Sequence, residues 1–114
     1  MESILTSVKK LLGIAEDYDH FDVDLIIHIN TVLMGLTQMG IGPAEGFVIS
    51  NSYATWDQFV DPKSNLASVK SYVYLKVKLL FDPPLSSAHI EAINRAISEL
   101  EWRLNIEAES ASSV

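Results

Sequence analysis

Ile90-Glu91-Ala92-Ile93-Asn94-Arg95-Ala96-Ile97-Ser98-Glu99-Leu100-Glu101-Trp102-Arg103-Leu104 repeats an apolar residue at 90, 93, 97, 100 and 104. Alternating steps of three and four keep one stripe of a helix facing a neighbour along a seam. Leu85 and Ile90 flank Ser86 as a hydrophobic staple flanks an N-cap, so a helix is predicted from about 86 to 107. Two heptads fall short of the roughly three to four of an independent coiled coil, and the seam therefore reads as a core stripe. Trp102 stands two residues from Leu100 and from Leu104, off that stripe, which favours an interface role for it.

Upstream, Leu66, Val69, Val73, Val77 and Leu80 trace a second stripe that Pro83-Pro84 must end, because a residue before proline is pushed out of the α region. This predicts a helix over about 64–81. Thr55-Trp56-Asp57-Gln58 has the form of a capping box opening one or two helical turns, which stop near Asp61-Pro62. Leu25, Ile26, Ile29, Val32, Leu33 and Leu36 predict a helix over about 22–39, with the carboxylates of residues 16–24 crowded at its start, where they complement the macrodipole and offer capping oxygens. Ile4, Leu5, Val8, Leu11 and Leu12 predict another over about 2–12, with Gly13 placed for a left-handed cap. Between 40 and 54, glycines at 40, 42 and 46 and Pro43 break helical order, and Phe47-Val48-Ile49 suits a short β piece.

The expected fold is therefore all-α: a small bundle of about four to five helices with one long irregular loop between the second and third. A chain of 114 residues is enough for one core and too short for two. We read one helical domain over 1–108 and a polar, flexible tail over 109–114, which has little to bury.

Fifteen acidic against eight basic residues give a net charge of −7, which disfavours a surface that grips phosphates. Cysteine is absent, so no disulfide, thiolate metal site or thiol nucleophile is available. The start of the chain, broken by Ser7, Lys9 and Lys10, lacks a signal-peptide core, and no stretch reaches the ~18 apolar residues that span a bilayer. No membrane association is expected.

Catalytic and ligand motifs are missing. His20, His28 and His89 form no i, i+4 pair, and the acidic run 16–24 fails as a calcium loop: it has no glycine at the sixth place and His28 stands at the twelfth. The glycine-rich stretch 40–46 follows a helix and carries Glu45 where a phosphate would need amides or cations. No serine lies in a nucleophile elbow. Asp22, Asp24 and His28 are the only constellation for an enzymatic reading, and nothing in their spacing recommends it. The chain is expected to be no enzyme, with no cofactor and no metal.

Tyr74-Leu75-Lys76-Val77-Lys78-Leu79-Leu80-Phe81-Asp82-Pro83-Pro84, Ile90 to Arg95 and Ser98 to Asn105 resemble small head-tail connector (neck adaptor) proteins of phages and prophages of Gram-positive bacteria. Leu11-Leu12-Gly13-Ile14, Asp17-Tyr18 and Thr55-Trp56-Asp57 are similar too. The resemblance implies a structural subunit, made in the bacterial cytoplasm and carried in the virion at the head-tail junction. It further implies a ring of about twelve copies under the portal protein that extends the DNA channel, without specific DNA binding, and offers a platform to the next neck or tail protein. On that reading Trp102, Leu104 and Ile106 dock to the portal, and Phe47, Val48, Ile49 and Tyr53 touch neighbouring subunits or the channel. The alternative is a small interaction or regulatory module dimerising through its C-terminal helix.

Overall fold

Five helices form within residues 2–61 and 66–112, which are the residues that the computed structural model describes. They are α1 (Ile4–Leu12), α2 (Asp22–Gln38), α3 (Trp56–Phe59), α4 (Leu66–Phe81) and α5 (Ser87–Ser112). No strand occurs among the described residues, and the all-α bundle expected from the stripes is the observed fold.

Local chemistry accounts for the helix ends. Ser3 caps α1, its Oγ accepting from Thr6 N–H at 3.2 Å. Gly13 closes the helix at φ +80°, where the N–H groups of Gly13 and Ile14 reach the carbonyls of Lys10 and Lys9. The acidic run before α2 does not cap it as expected: the N-cap position falls on Phe21, whose side chain has no acceptor, while Asp22 and Asp24 stand in the first turn and Asp22 pairs with Lys9. Gln58 Oε1 accepts from Thr55 N–H at 3.1 Å, the half of the capping box that fixes the start of α3.

α4 is the hub of the bundle, packing against α2, α5 and α1. Its Val69, Tyr72, Val73 and Val77 meet Leu25, Ile29, Leu33 and Leu36 of α2 and Ile97 and Leu104 of α5 in one buried cluster. The stripe of α5 is therefore core, and Ile93 and Leu100 pack against it as well. The predicted start of α4 at 64–65 lies outside the described residues. α5 runs to Ser112, five residues past its expected end, so the first positions read as tail are helical. Neither Gly nor Pro interrupts that stretch, and Ala108, Glu109 and Ala111 favour the helix.

Two local expectations need correction. Leu85 is fully exposed, so no staple to Ile90 forms; Pro83 and Pro84, each fixed in φ, set the backbone between α4 and α5. Phe47-Val48-Ile49 joins no sheet; at Ile49 a side chain stands in for a partner strand, Asn30 Oδ1 accepting from Ile49 N–H at 2.8 Å and Asn30 Nδ2 donating to Ile49 C=O at 3.0 Å. The one strand-like contact lies elsewhere, an isolated antiparallel bridge between Ser3 and Thr55.

Candidate functional site

The long irregular segment is pinned at several points, not loose. Gly42, at φ +84°, lies so close to Phe59 that an added Cβ would stand 2.5 Å from the ring, and Phe47 packs on the same ring at 5.4 Å between centroids. Ile4 N–H donates to Ala54 C=O at 3.0 Å and Trp56 N–H to Glu2 C=O at 3.2 Å, stitching the start of the chain to the end of the segment. Beneath Gly40–Pro43 a cleft of about 360 Å³ opens toward Leu104 and Ala108 of α5.

Those pins divide the residues singled out in the loop. Ile49 is buried and Phe47 half-buried in the core, so neither offers a free surface. Val48 and Tyr53 point outward, Tyr53 with 83% of its surface accessible. The docking trio on α5 splits in the same way. Trp102 is 66% and Ile106 41% exposed, whereas Leu104 is 1% exposed and belongs to the core, because it continues the stripe that packs on α4. Trp102 and Ile106, four residues apart, share the opposite face.

A second surface was missed. Val23, Ile27 and Met34 are exposed along the outer side of α2, and Leu80 is exposed beside them on α4. Where α2, α4 and α5 come together lies a cleft of about 420 Å³ lined by Thr31, Gly35, Leu79 and Leu80 and by the polar Tyr72, Lys76 and Glu101. Thr31 Oγ1 donates to Ile27 C=O at 3.0 Å, so its hydroxyl is spent on its own helix. The signal was present in the sequence: once Leu25, Ile29, Val32 and Leu36 are assigned to the core, 23, 27 and 34 remain apolar on the far side, where a solvated helix would be polar.

Charge is arranged structurally. Lys9 is buried, yet its Nζ meets Asp22 Oδ1 at 2.8 Å and Glu16 C=O at 3.0 Å, bridging the end of α1 to the start of α2. Tyr72 donates its hydroxyl to Glu101 at 2.8 Å between α4 and α5. Burial, then that bond and the Glu101 charge, push the phenol well above the usual tyrosine range. His20 and His28 stand in an aromatic cluster with Tyr18, Phe21 and Phe81, His28 at 6.4 Å from the Phe81 centroid. Asp22, committed to Lys9, does not form a site with His28. Among the described residues no group of His, Asp and Glu is placed to hold a metal ion, and no helix is long and apolar enough to cross a membrane.

What the surface can do is bind other proteins: two separate apolar faces, one bearing a tryptophan, on a body held rigid by buried bonds. No curated protein and no solved structure shows significant similarity to the chain. A family model described as "Phage connector protein" matches residues 4–111.

Proposed function

Because the chain belongs to the phage connector protein family, and is thus a structural component of the phage connector, we propose that it is an adaptor subunit that assembles as a ring of about a dozen copies under the portal. The ring extends the DNA channel and gives the next neck or tail protein its docking platform. It carries out no chemistry and holds no cofactor. The observation that carries this reading is the family match over nearly the whole chain, and the two exposed apolar faces support it, since a subunit inside a ring needs more than one contact surface.

The acidic balance favours passage of DNA over retention, because like charges keep phosphates from settling on the wall. Trp102 and Ile106 are the residues proposed to meet the portal, with Val48 and Tyr53 facing neighbours or the channel. Leu104 supports them from within the core, and Phe47 and Ile49 anchor the loop. A dimer through the C-terminal helix finds less support, since the Ile93 to Leu104 seam is already occupied by α4.

Light scattering and negative-stain imaging of the chain, alone and with a portal ring, test the proposal. Rings on the portal are the expected result. Chains that stay monomeric at high concentration and with portal present overturn it.

A further inference from the structure

We infer that neighbouring copies of this chain join head to tail, the Leu85 corner of one copy seating in the cleft beneath Gly40–Pro43 of the next. This rests on the ring reading above and assigns its contact surface. Leu85 has a relative accessibility of 105%, so nothing in its own chain covers it, and Pro83 and Pro84 beside it hold the backbone by their fixed φ. A lone exposed leucine is ordinary. What singles this one out is an apolar cleft that the same chain opens at its other end.

The cleft, of about 360 Å³, has the buried Phe59, Val60, Val69 and Leu104 in its wall. Gly40 and Gly42 contribute bare backbone: a Cβ added at Gly40 would stand 3.6 Å from that of Ala108, another lining residue, and would narrow the space. A cavity of about 150 Å³ takes up benzene, so this one has room for a leucine side chain and the proline ring next to it. Ser87 opens α5, and Leu104 and Ala108 lie about 26 and 32 Å along the helix from there, at ~1.5 Å per residue. The corner therefore cannot reach the cleft of its own chain, and the two meet only between copies.

Charge selects the same pairing. With a net charge of −7, copies repel one another unless the surfaces that touch are locally matched. Residues 83–90 contain no carboxylate, and His89 is exposed among them. No acidic residue stands in the first turn of α5, so the positive pole of a 26-residue helix adjoins the corner. The cleft supplies the other sign, for Asp61 and Glu107 are exposed residues of its lining. Seating Leu85 brings the start of α5 toward those carboxylates, with apolar contact at the centre and charge at the rim. An acid-free corner and an acid-lined cleft complement each other, while neither complements itself. Contacts of this kind are heterologous, and repeated by a constant rotation they close into a ring.

Because the chain contains no cysteine, the contact can be read by disulfide trapping with Leu85 left in place. Ser86→Cys and Ala108→Cys variants are oxidised singly, mixed and combined in one chain, at high concentration and on a portal ring. The expected result is a cross-linked dimer from the mixture, a ladder of multimers from the doubly substituted chain and no cross-link from either variant alone. Adding Leu85→Asp removes the ladder while the circular dichroism spectrum and the melting temperature stay as they were, and adding Leu85→Met keeps it. A ladder that survives Leu85→Asp, or single variants that cross-link to themselves, overturns the proposal. Rings that assemble from the doubly substituted chain without a ladder overturn it and leave the ring reading in place; absence of both rings and ladder overturns the two together.

Discussion

Asn30 binds the backbone of Ile49 at both its polar groups, at 2.8 Å to the N–H and 3.0 Å to the carbonyl, so a single side chain on α2 does for the loop what a neighbouring strand would do in a sheet. Ile49 is only 3% exposed, and its amide and carbonyl have little access to replacement water.

Asn30→Ala should therefore destabilise the fold by about 1–3 kcal/mol, the cost of leaving buried backbone groups unmet. Chemical denaturation would show a lower midpoint with an unchanged slope. Asn30→Asp should fall short of wild type as well, since a carboxylate accepts from the N–H but cannot donate to the carbonyl.

Gly42→Ala should cost about 2–4 kcal/mol, combining a side chain at positive φ with a Cβ driven into the Phe59 ring. Gly46→Ala has the strain without the collision, nothing lying within 4 Å of its added Cβ, and should cost less. Thermal melts of the two variants measured together separate the terms.

Lys9 and Asp22 should be coupled. Removing Lys9 leaves a carboxylate that is still partly in water, so Lys9→Met should lose about 1–3 kcal/mol, below the range for a fully buried pair. The Lys9→Met, Asp22→Asn double variant should lose less than the two single losses added, which a double-mutant cycle measures.

Stability should fall in alkaline solution. The folded state holds the Tyr72 proton more tightly than the unfolded chain, whose tyrosines ionise near pH 10. The contribution is thus complete below about pH 10 and is lost as pH rises beyond it. Tyr72→Phe should flatten that decline, read from denaturation midpoints between pH 9 and about 11.

Trp102→Ala should leave stability within about 0.5 kcal/mol, because the indole lies outside the core. Capture of the chain by a portal ring should be lost all the same. Unchanged capture would remove Trp102 from the docking surface.

How much of this could be read in advance depended on the range of the cause. Stripes, caps and breakers act over three to seven residues, and the seam from Ile93 to Leu104, the Gly13 cap and the Gln58 bond to Thr55 were legible for that reason. Leu104 and Trp102 are two residues apart, which on a helix puts them on opposite faces, so closeness in sequence says nothing of a shared surface. Leu85 matches a staple in spacing alone, and spacing does not record whether a side chain turns to the helix or to solvent. The Asn30–Ile49 pair and the Gly42–Phe59 contact join positions 17–19 residues apart through tertiary packing, and no local pattern announces them.

The stitch between residues 2–4 and 54–56, together with the Trp56 Nε1 bond to Ser7 Oγ at 2.8 Å, sets an order of events during synthesis. Helix α1 has one of its buried partners, Trp56, 49 positions further along the chain, so part of its apolar side stays uncovered until the middle of the chain has been made. Such long-range closure slows folding and lengthens exposure of sticky intermediates. For a subunit proposed to assemble with copies of itself, the rate of that closure decides whether nascent chains meet as finished parts or as tangles.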